Sequence, residues 1–207
     1  MTHHQDNSKE DVKNERHQQR QQKLKDAVET KVASAQEERG VLMIITGNGK
    51  GKSTAGFGTL TRALGHGKRA AAVQFIKGGW ECGERNVLQK LGVDFAIMNT
   101  GFTWDTQDRV QDTLACEQTW CVAEKMLADA ELDIVLLDEL TYMVAYHYLA
   151  VERVVSALKN RPAHQHVIIT GRGCHRALLE LADTVSEVQS IKHAFEAGVK
   201  AQAGFDY

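Results

Sequence analysis

The chain has 207 residues, 43% of them hydrophobic, which suffices for one sizeable core with an appendage. Its 25 Lys and Arg nearly balance 27 Asp and Glu, leaving a net charge of -2 and no basic footprint for nucleic acid or an anionic membrane surface. Apolar runs fall far short of the roughly 20 residues that span a bilayer. The polar start, MTHHQDNSKEDVKNER, lacks the apolar stretch of a secretory signal, so a cytoplasmic location is expected.

Residues 1–39 carry eight acidic and eight basic side chains but no glycine, proline or aromatic, a composition that cannot bury a core alone. Leu24, Val28, Val32 and Ala35 nevertheless recur at helical spacing. The segment therefore reads either as a solvated tail or as an amphipathic helix that docks elsewhere. The expected division is an extension over 1–39 and a folded domain over 40–207.

From Val41 onward, short apolar runs alternate with helical patterns. Strands are predicted at 41–46, 69–76, 93–98, 132–137 and 166–170, with an edge strand at 185–189. Helices are predicted near 52–65, 84–90, 107–129, 151–159 and 175–182. The strand runs are continuous rather than alternating, as expected for strands covered on both faces. The fold class is therefore α/β, a three-layer sandwich with a mostly parallel central sheet, which a glycine-rich phosphate loop after the first strand would make P-loop NTPase-like (RecA-like). Binding is expected at the carboxyl ends of its strands. The four cysteines, Cys82, Cys116, Cys121 and Cys174, form no C-x-x-C pair and read as reduced thiols. His164, His166 and His175 lack the companion ligands of a metal site.

The first strand runs into "ITGNGKGKST" (45–54). A glycine-rich turn between a strand and a helix presents backbone N–H groups and the helix N-terminus to an anion. Gly47, Asn48, Gly49, Lys50, Gly51, Lys52, Ser53 and Thr54 are the candidate nucleotide-binding residues. Lys52 would lie against phosphate oxygens, and Ser53 would offer its hydroxyl to Mg²⁺. Thr46 stands where the motif G-x-x-x-x-G-K-[ST] has its first glycine, so this is a variant loop.

"LDIVLLDEL" (132–140) is an apolar strand ending in Asp138-Glu139, a carboxylate pair that could hold Mg²⁺ (or Mn²⁺) together with Ser53. In a parallel sheet both features emerge on one edge. Arg172 in "TGRGCHR" (170–176) can reach a phosphate or ribose, or can stand in solvent. Arg62, farther along the helix after the loop, is a weaker candidate of the same kind. These residues imply ATP or GTP with a divalent cation, and the absence of a guanine-reading [NT]-K-x-D tilts the choice to ATP. A kinase or a hydrolase fits as well. "MNTGFTWDTQ" (98–107) carries Phe102 and Trp104, suited to a flat apolar ligand or to a small satellite core, and Trp80 lies in a neighbouring loop.

Taken together, "GNGKGKST", "FIKGGWECGERN", "MNTGFTWDTQ", "VLLDELTYMVAYHYL", "VIITGRGCHR" and "IKHAFEAGVKAQAGFDY" resemble the corrinoid adenosyltransferases of the CobA/BtuR/CobO type over roughly residues 40–207. The resemblance implies transfer of the 5′-deoxyadenosyl group of ATP to the Co(I) of a corrinoid, with triphosphate released intact, in adenosylcobalamin biosynthesis and corrinoid salvage. It implies that the loop meets the γ-phosphate and that Lys52 assists the leaving group. Phe102 and Trp104 would displace the corrin's lower axial ligand, so that Co(II) is more easily reduced. Asp138 and Glu139 match the family's metal-side and ribose-side acids without separating their jobs. A reduced flavoprotein such as flavodoxin would be the electron donor. A homodimer is also implied, in which the N-terminal helix of one subunit covers the active site of the other. Neither nucleic acid nor a membrane is implied as a partner.

Overall fold

A computed structural model describes residues 4–76, 81–98 and 109–206. The chain divides into two units, 1–38 and 39–207. The first unit is helix α1 (His4–Ser34). Lys25 pairs with Glu29 at 3.7 Å, and Gln22 Nε2 donates to Asp26 Oδ1 at 2.7 Å, each one helical turn apart. Leu24, Val28 and Val32 remain exposed at 53%, 58% and 68%.

The second unit follows the strand-helix alternation. Its elements are β1 (Leu42–Thr46), α2 (Lys52–Gly65), β2 (Ala70–Gln74), α3 (Gly83–Lys90), β3 (Asp94–Ile97) and α4 (Arg109–Ala128). They continue with β4 (Ile134–Asp138), α5 (Leu140–Ala145), α6 (Val151–Asn160), β5 (His166–Thr170), α7 (Arg176–Leu181) and β6 (Thr184–Glu187). A 3₁₀ turn follows at Ala194–Ala197. Among the described residues six strands form one sheet in the order β3-β2-β4-β5-β1-β6, and every pairing is parallel. Parallel neighbours need crossovers, and the helices supply them on both faces.

Strand residues alternate between two cores. Ile45, Ala72, Leu136 and Ile168 face α2 and α3, where Phe57 and Leu60 cover them. Leu42, Ile44, Val73, Val135, Leu137, Val167 and Ile169 face the opposite layer, packed against Trp120 of α4 and Val154 and Leu158 of α6. Fully burying such a side chain contributes about 1.5–3 kcal/mol each. This two-sided burial explains why the central strands read as unbroken apolar runs, whereas the edge strand β3 is mostly half-buried and β6 largely exposed. The short helix α5, directly after Asp138-Glu139, has no counterpart among the predicted elements.

Register brings the functional ends together. Gln74 pairs with Asp138, Ile45 with Thr170, and Thr46 with Glu187. The ends of β1, β2, β4 and β5 thus form one carboxyl edge.

Candidate active site

At that edge the loop after β1 closes on the strand end of β6. Gly49 N donates to Val188 O at 2.7 Å, and Val188 N donates to Thr46 O at 2.8 Å. A Cβ on Gly47 would lie 2.5 Å from Val188 O, and one on Gly49 would lie 2.5 Å from Gln189 O. These two glycines are required by the approach of the protein's own backbone, a reason different from the ligand approach that the sequence suggests. Gly51, at φ 114, caps α2.

Lys52 opens α2 and is only 6% exposed. Its Nζ donates to Gly49 O at 2.7 Å, folding the side chain back over the loop. Burial pushes the Lys52 pKa below the ordinary lysine value. Glu139 and Asp138 oppose that shift, and Arg172 adds to it. A cavity of ≈ 240 Å³ is lined by Gly49, Lys50, Gly51, Lys52, Ser53 and Thr54 on the loop side and by Glu139 and Arg172 from the opposite strand ends. Its surroundings are the N-terminus of α2, two lysines, an arginine, a histidine and three carboxylates, so it favours an anion that also carries a cation.

The two adjacent acids are separated by position. Asp138 is fully buried; its Oδ1 accepts from Thr170 Oγ1 at 2.7 Å and its Oδ2 from Gln74 Nε2 at 3.3 Å. Glu139 lines the cavity and holds a left-handed backbone at φ 62, where a non-glycine residue costs about 1–2 kcal/mol. Its N–H donates to Thr170 Oγ1 at 3.0 Å, fixing that turn. On the far side Gly171, at φ 132, lets Thr141 Oγ1 reach Arg172 O at 2.7 Å. A Cβ at Gly171 would sit 2.1 Å from that hydroxyl and 3.3 Å from Glu139 Oε2.

Not every candidate lies here. Gly47 and Asn48 are not among the cavity's lining residues. Arg62 stands ten residues along α2 from Lys52, roughly 15 Å. It lines a separate cavity with His66, Lys68 and His166, near the amino ends of β1, β4 and β5. The helix carries it away from the loop, so Arg62 is not brought together with the other candidate nucleotide-binding residues. Phe102, Trp104 and Trp80 lie outside the described residues. Conversely, Glu84, His193 and Asp206 line the loop's cavity without having been singled out. Glu84 opens the predicted helix near 84–90, while His193 and Asp206 come from a tail without hydrophobic periodicity. Ser53, Asp138 and Glu139 are hard oxygen donors of the kind Mg²⁺ prefers, and among the described residues no cluster of three His, Cys, Asp or Glu offers an all-protein metal cage. Such a donor set suits a cation that takes most of its ligands from phosphate and water.

Topology and loop define the class, an α/β protein of the P-loop NTPase-like type. The particular family follows from comparison with known proteins. Residues 38–207 match the family ATP:corrinoid adenosyltransferase BtuR/CobO/CobP, and residues 7–32 match the cob(I)alamin adenosyltransferase N-terminal family. The chain is 64% identical to the corrinoid adenosyltransferase of Escherichia coli K12, over 95% of this chain and 100% of that one. It is equally similar to corrinoid adenosyltransferase CobA of Salmonella typhimurium LT2, with the same coverage. The corrinoid adenosyltransferase of Pseudomonas aeruginosa is 46% identical over 94% of this chain and 97% of its own length. The chain belongs to the ATP:corrinoid adenosyltransferase family.

Proposed function

We propose that this enzyme uses its carboxyl-edge cavity to hold the triphosphate of ATP as a leaving group while the Co(I) of a corrinoid attacks C5′ of the ribose. The cobalt–carbon bond forms with the cobalt's electron pair, the C5′–O bond breaks, and triphosphate departs intact with the bonding pair. The observation that carries the reading is the buried Lys52 beside the N-terminus of α2, facing Arg172 across the same cavity. Cations fixed in a partly dry site stabilise the charge that grows on a departing phosphate oxygen, and they need no reorganisation during the reaction.

Each side chain has a distinct task on this reading. Lys52, Lys50 and the N–H groups of residues 50–54 grip the phosphates. Ser53 and the Asp138-Glu139 side would hold Mg²⁺, which would supply neutralising charge to the leaving triphosphate. Glu139, in the cavity, is the acid that meets the nucleotide directly. Asp138, held by Thr170 and Gln74, orders the strand end beneath it. Positioning C5′ in line with cobalt is the protein's main contribution, since the nucleophile is the substrate's own metal.

Phe102 and Trp104 would press on the lower corrin face and remove an axial ligand, easing reduction of Co(II) by a reduced flavoprotein such as flavodoxin. The extension over 1–39 would act in a homodimer, covering the partner's site. Its exposed Leu24, Val28 and Val32 support that role. Among the described residues no helix is long and apolar enough to cross a membrane, and the proposed setting is the cytoplasm.

The test is the phosphorus product. With Mg-ATP and a chemically reduced corrinoid, ³¹P NMR should show intact triphosphate in step with a cobalt–carbon absorption spectrum. ADP with orthophosphate would instead identify a hydrolase.

A further inference from the structure

Of the two lysines in the phosphate loop, Lys52 turns back onto its own loop, but Lys50 is already held by an anion. Its Nζ lies 2.7 Å from Asp206 Oδ1 and 5.9 Å from the centre of the Phe205 ring. The carboxylate is itself positioned. Gln202 N donates to Asp206 Oδ2 at 2.9 Å, and Asp206 N donates to Gln202 O at 2.8 Å, closing a turn. Upstream, the same tail caps its 3₁₀ turn with His193, whose Nδ1 accepts from Phe195 N at 3.1 Å. The ion pair keeps the Asp206 carboxyl below the ordinary aspartate range, chiefly through the Lys50 hydrogen bond.

Asp206 is therefore an oxygen anion lining the cavity whose other walls are the loop, Arg172, His193, Glu84 and Glu139. Beyond it opens a second cavity of ≈ 320 Å³, where Lys192 and Lys200 join Lys50 around an apolar wall that includes Phe195 and Phe205. The two cavities share Lys50, His193 and Asp206, so Asp206 stands between them.

We propose that the C-terminal tail is an internal competitor for the phosphate loop: Asp206 occupies Lys50 as a stand-in for a phosphate oxygen and must release it when triphosphate enters. Lys192 and Lys200 then extend the positive field to the distal end of the polyphosphate, and return of Asp206 to Lys50 helps expel the triphosphate product. A triphosphate and a carboxylate cannot share one lysine without repulsion. Because the Lys50–Asp206 pair is partly exposed, the competition is modest in size. This inference rests on the proposal that the loop holds the triphosphate.

Asp206→Asn keeps the acceptor for Gln202 N and removes only the charge. It should tighten Mg-ATP binding about three- to fivefold by isothermal titration, the range expected for a partly exposed ion pair. Inhibition by inorganic tripolyphosphate should strengthen by the same factor, and adenosine binding should be unchanged. Deleting residues 205–207 should act in the same direction. Lys52→Ala, measured alongside, separates the two levels. If Lys52→Ala loses ATP binding while Asp206→Asn leaves it unchanged or weaker, the competitor role is overturned and the loop assignment stands. If Lys52→Ala binds ATP normally, the loop assignment fails and the competitor role falls with it.

Discussion

At the amino edge of the sheet, charges are spent on strand starts. Asp183, just before β6, accepts from Arg39 Nη2 at 2.7 Å and from Leu42 N, at the start of β1, at 2.8 Å. Asp133, just before β4, accepts from Lys68 Nζ at 3.0 Å and from Arg69 N at 2.8 Å. At the carboxyl edge the same residue types are arranged differently. Lys52 is buried with a carbonyl as its hydrogen-bond partner, Asp138 is fully buried, and Glu139 sits in a left-handed turn beside a glycine that tolerates no Cβ. One edge satisfies its ions locally and is stable. The other carries buried charge and backbone strain of the kind found where a ligand completes the site. Arg62 shows how far apart the two edges are, since a single helix delivers Lys52 to one and Arg62 towards the other.

The contrast can be broken most severely at Lys52. Lys52→Ala should lower kcat/KM by about 10²–10³-fold, the loss typical of removing one group that stabilises developing oxyanion charge, with little change in melting temperature. Near-normal turnover would place the chemistry elsewhere. Next comes Gly171→Ala, which forces a side chain into a left-handed backbone and against Thr141. It should cost about 2–4 kcal/mol in urea unfolding from strain plus overpacking, and a loss below about 0.5 kcal/mol would show that the turn relaxes freely.

The smallest effect belongs to the amino edge. Hydrogen bonds from Arg39 and from Leu42 N pull the Asp183 carboxyl below the ordinary aspartate range, down to about 2. A depressed carboxylate contributes stability above its unfolded pKa, and that stability is lost as pH falls from about 4 through about 2. Because the pair is partly exposed, Asp183→Asn should cost about 1 kcal/mol at neutral pH and almost nothing near pH 2. A pH-independent penalty would mean that the side chain's shape, rather than its charge, matters. Activity at neutral pH should follow stability alone.

Much of this molecule was legible in its sequence because one physical rule governs both. Strands buried on two faces must be apolar without interruption, so β1, β4 and β5 announced themselves, and a glycine-rich turn after the first could only open a helix. Separating Asp138 from Glu139 was not legible. That difference arises from Thr170 and Gln74, residues far away in the chain that only strand register brings beneath Asp138. Gln74 itself reads as one polar letter at the end of an alanine-rich strand. Asp206 was hidden for a similar reason, because its partner is 156 residues earlier and its segment has no periodicity. The loop glycines were found for an incomplete reason, since Gly47 and Gly49 are fixed by the backbone at 188–189.

The division of labour between the two edges is tested most directly by titrating inorganic tripolyphosphate, with Mg²⁺ and without nucleotide, into wild type, Lys52→Ala and Arg62→Ala. Wild type and Arg62→Ala should bind it with equal affinity, and Lys52→Ala should lose at least tenfold, about 1.4 kcal/mol. Undiminished binding by Lys52→Ala, or a comparable loss in Arg62→Ala, would contradict the claim that the carboxyl-edge loop grips the leaving triphosphate.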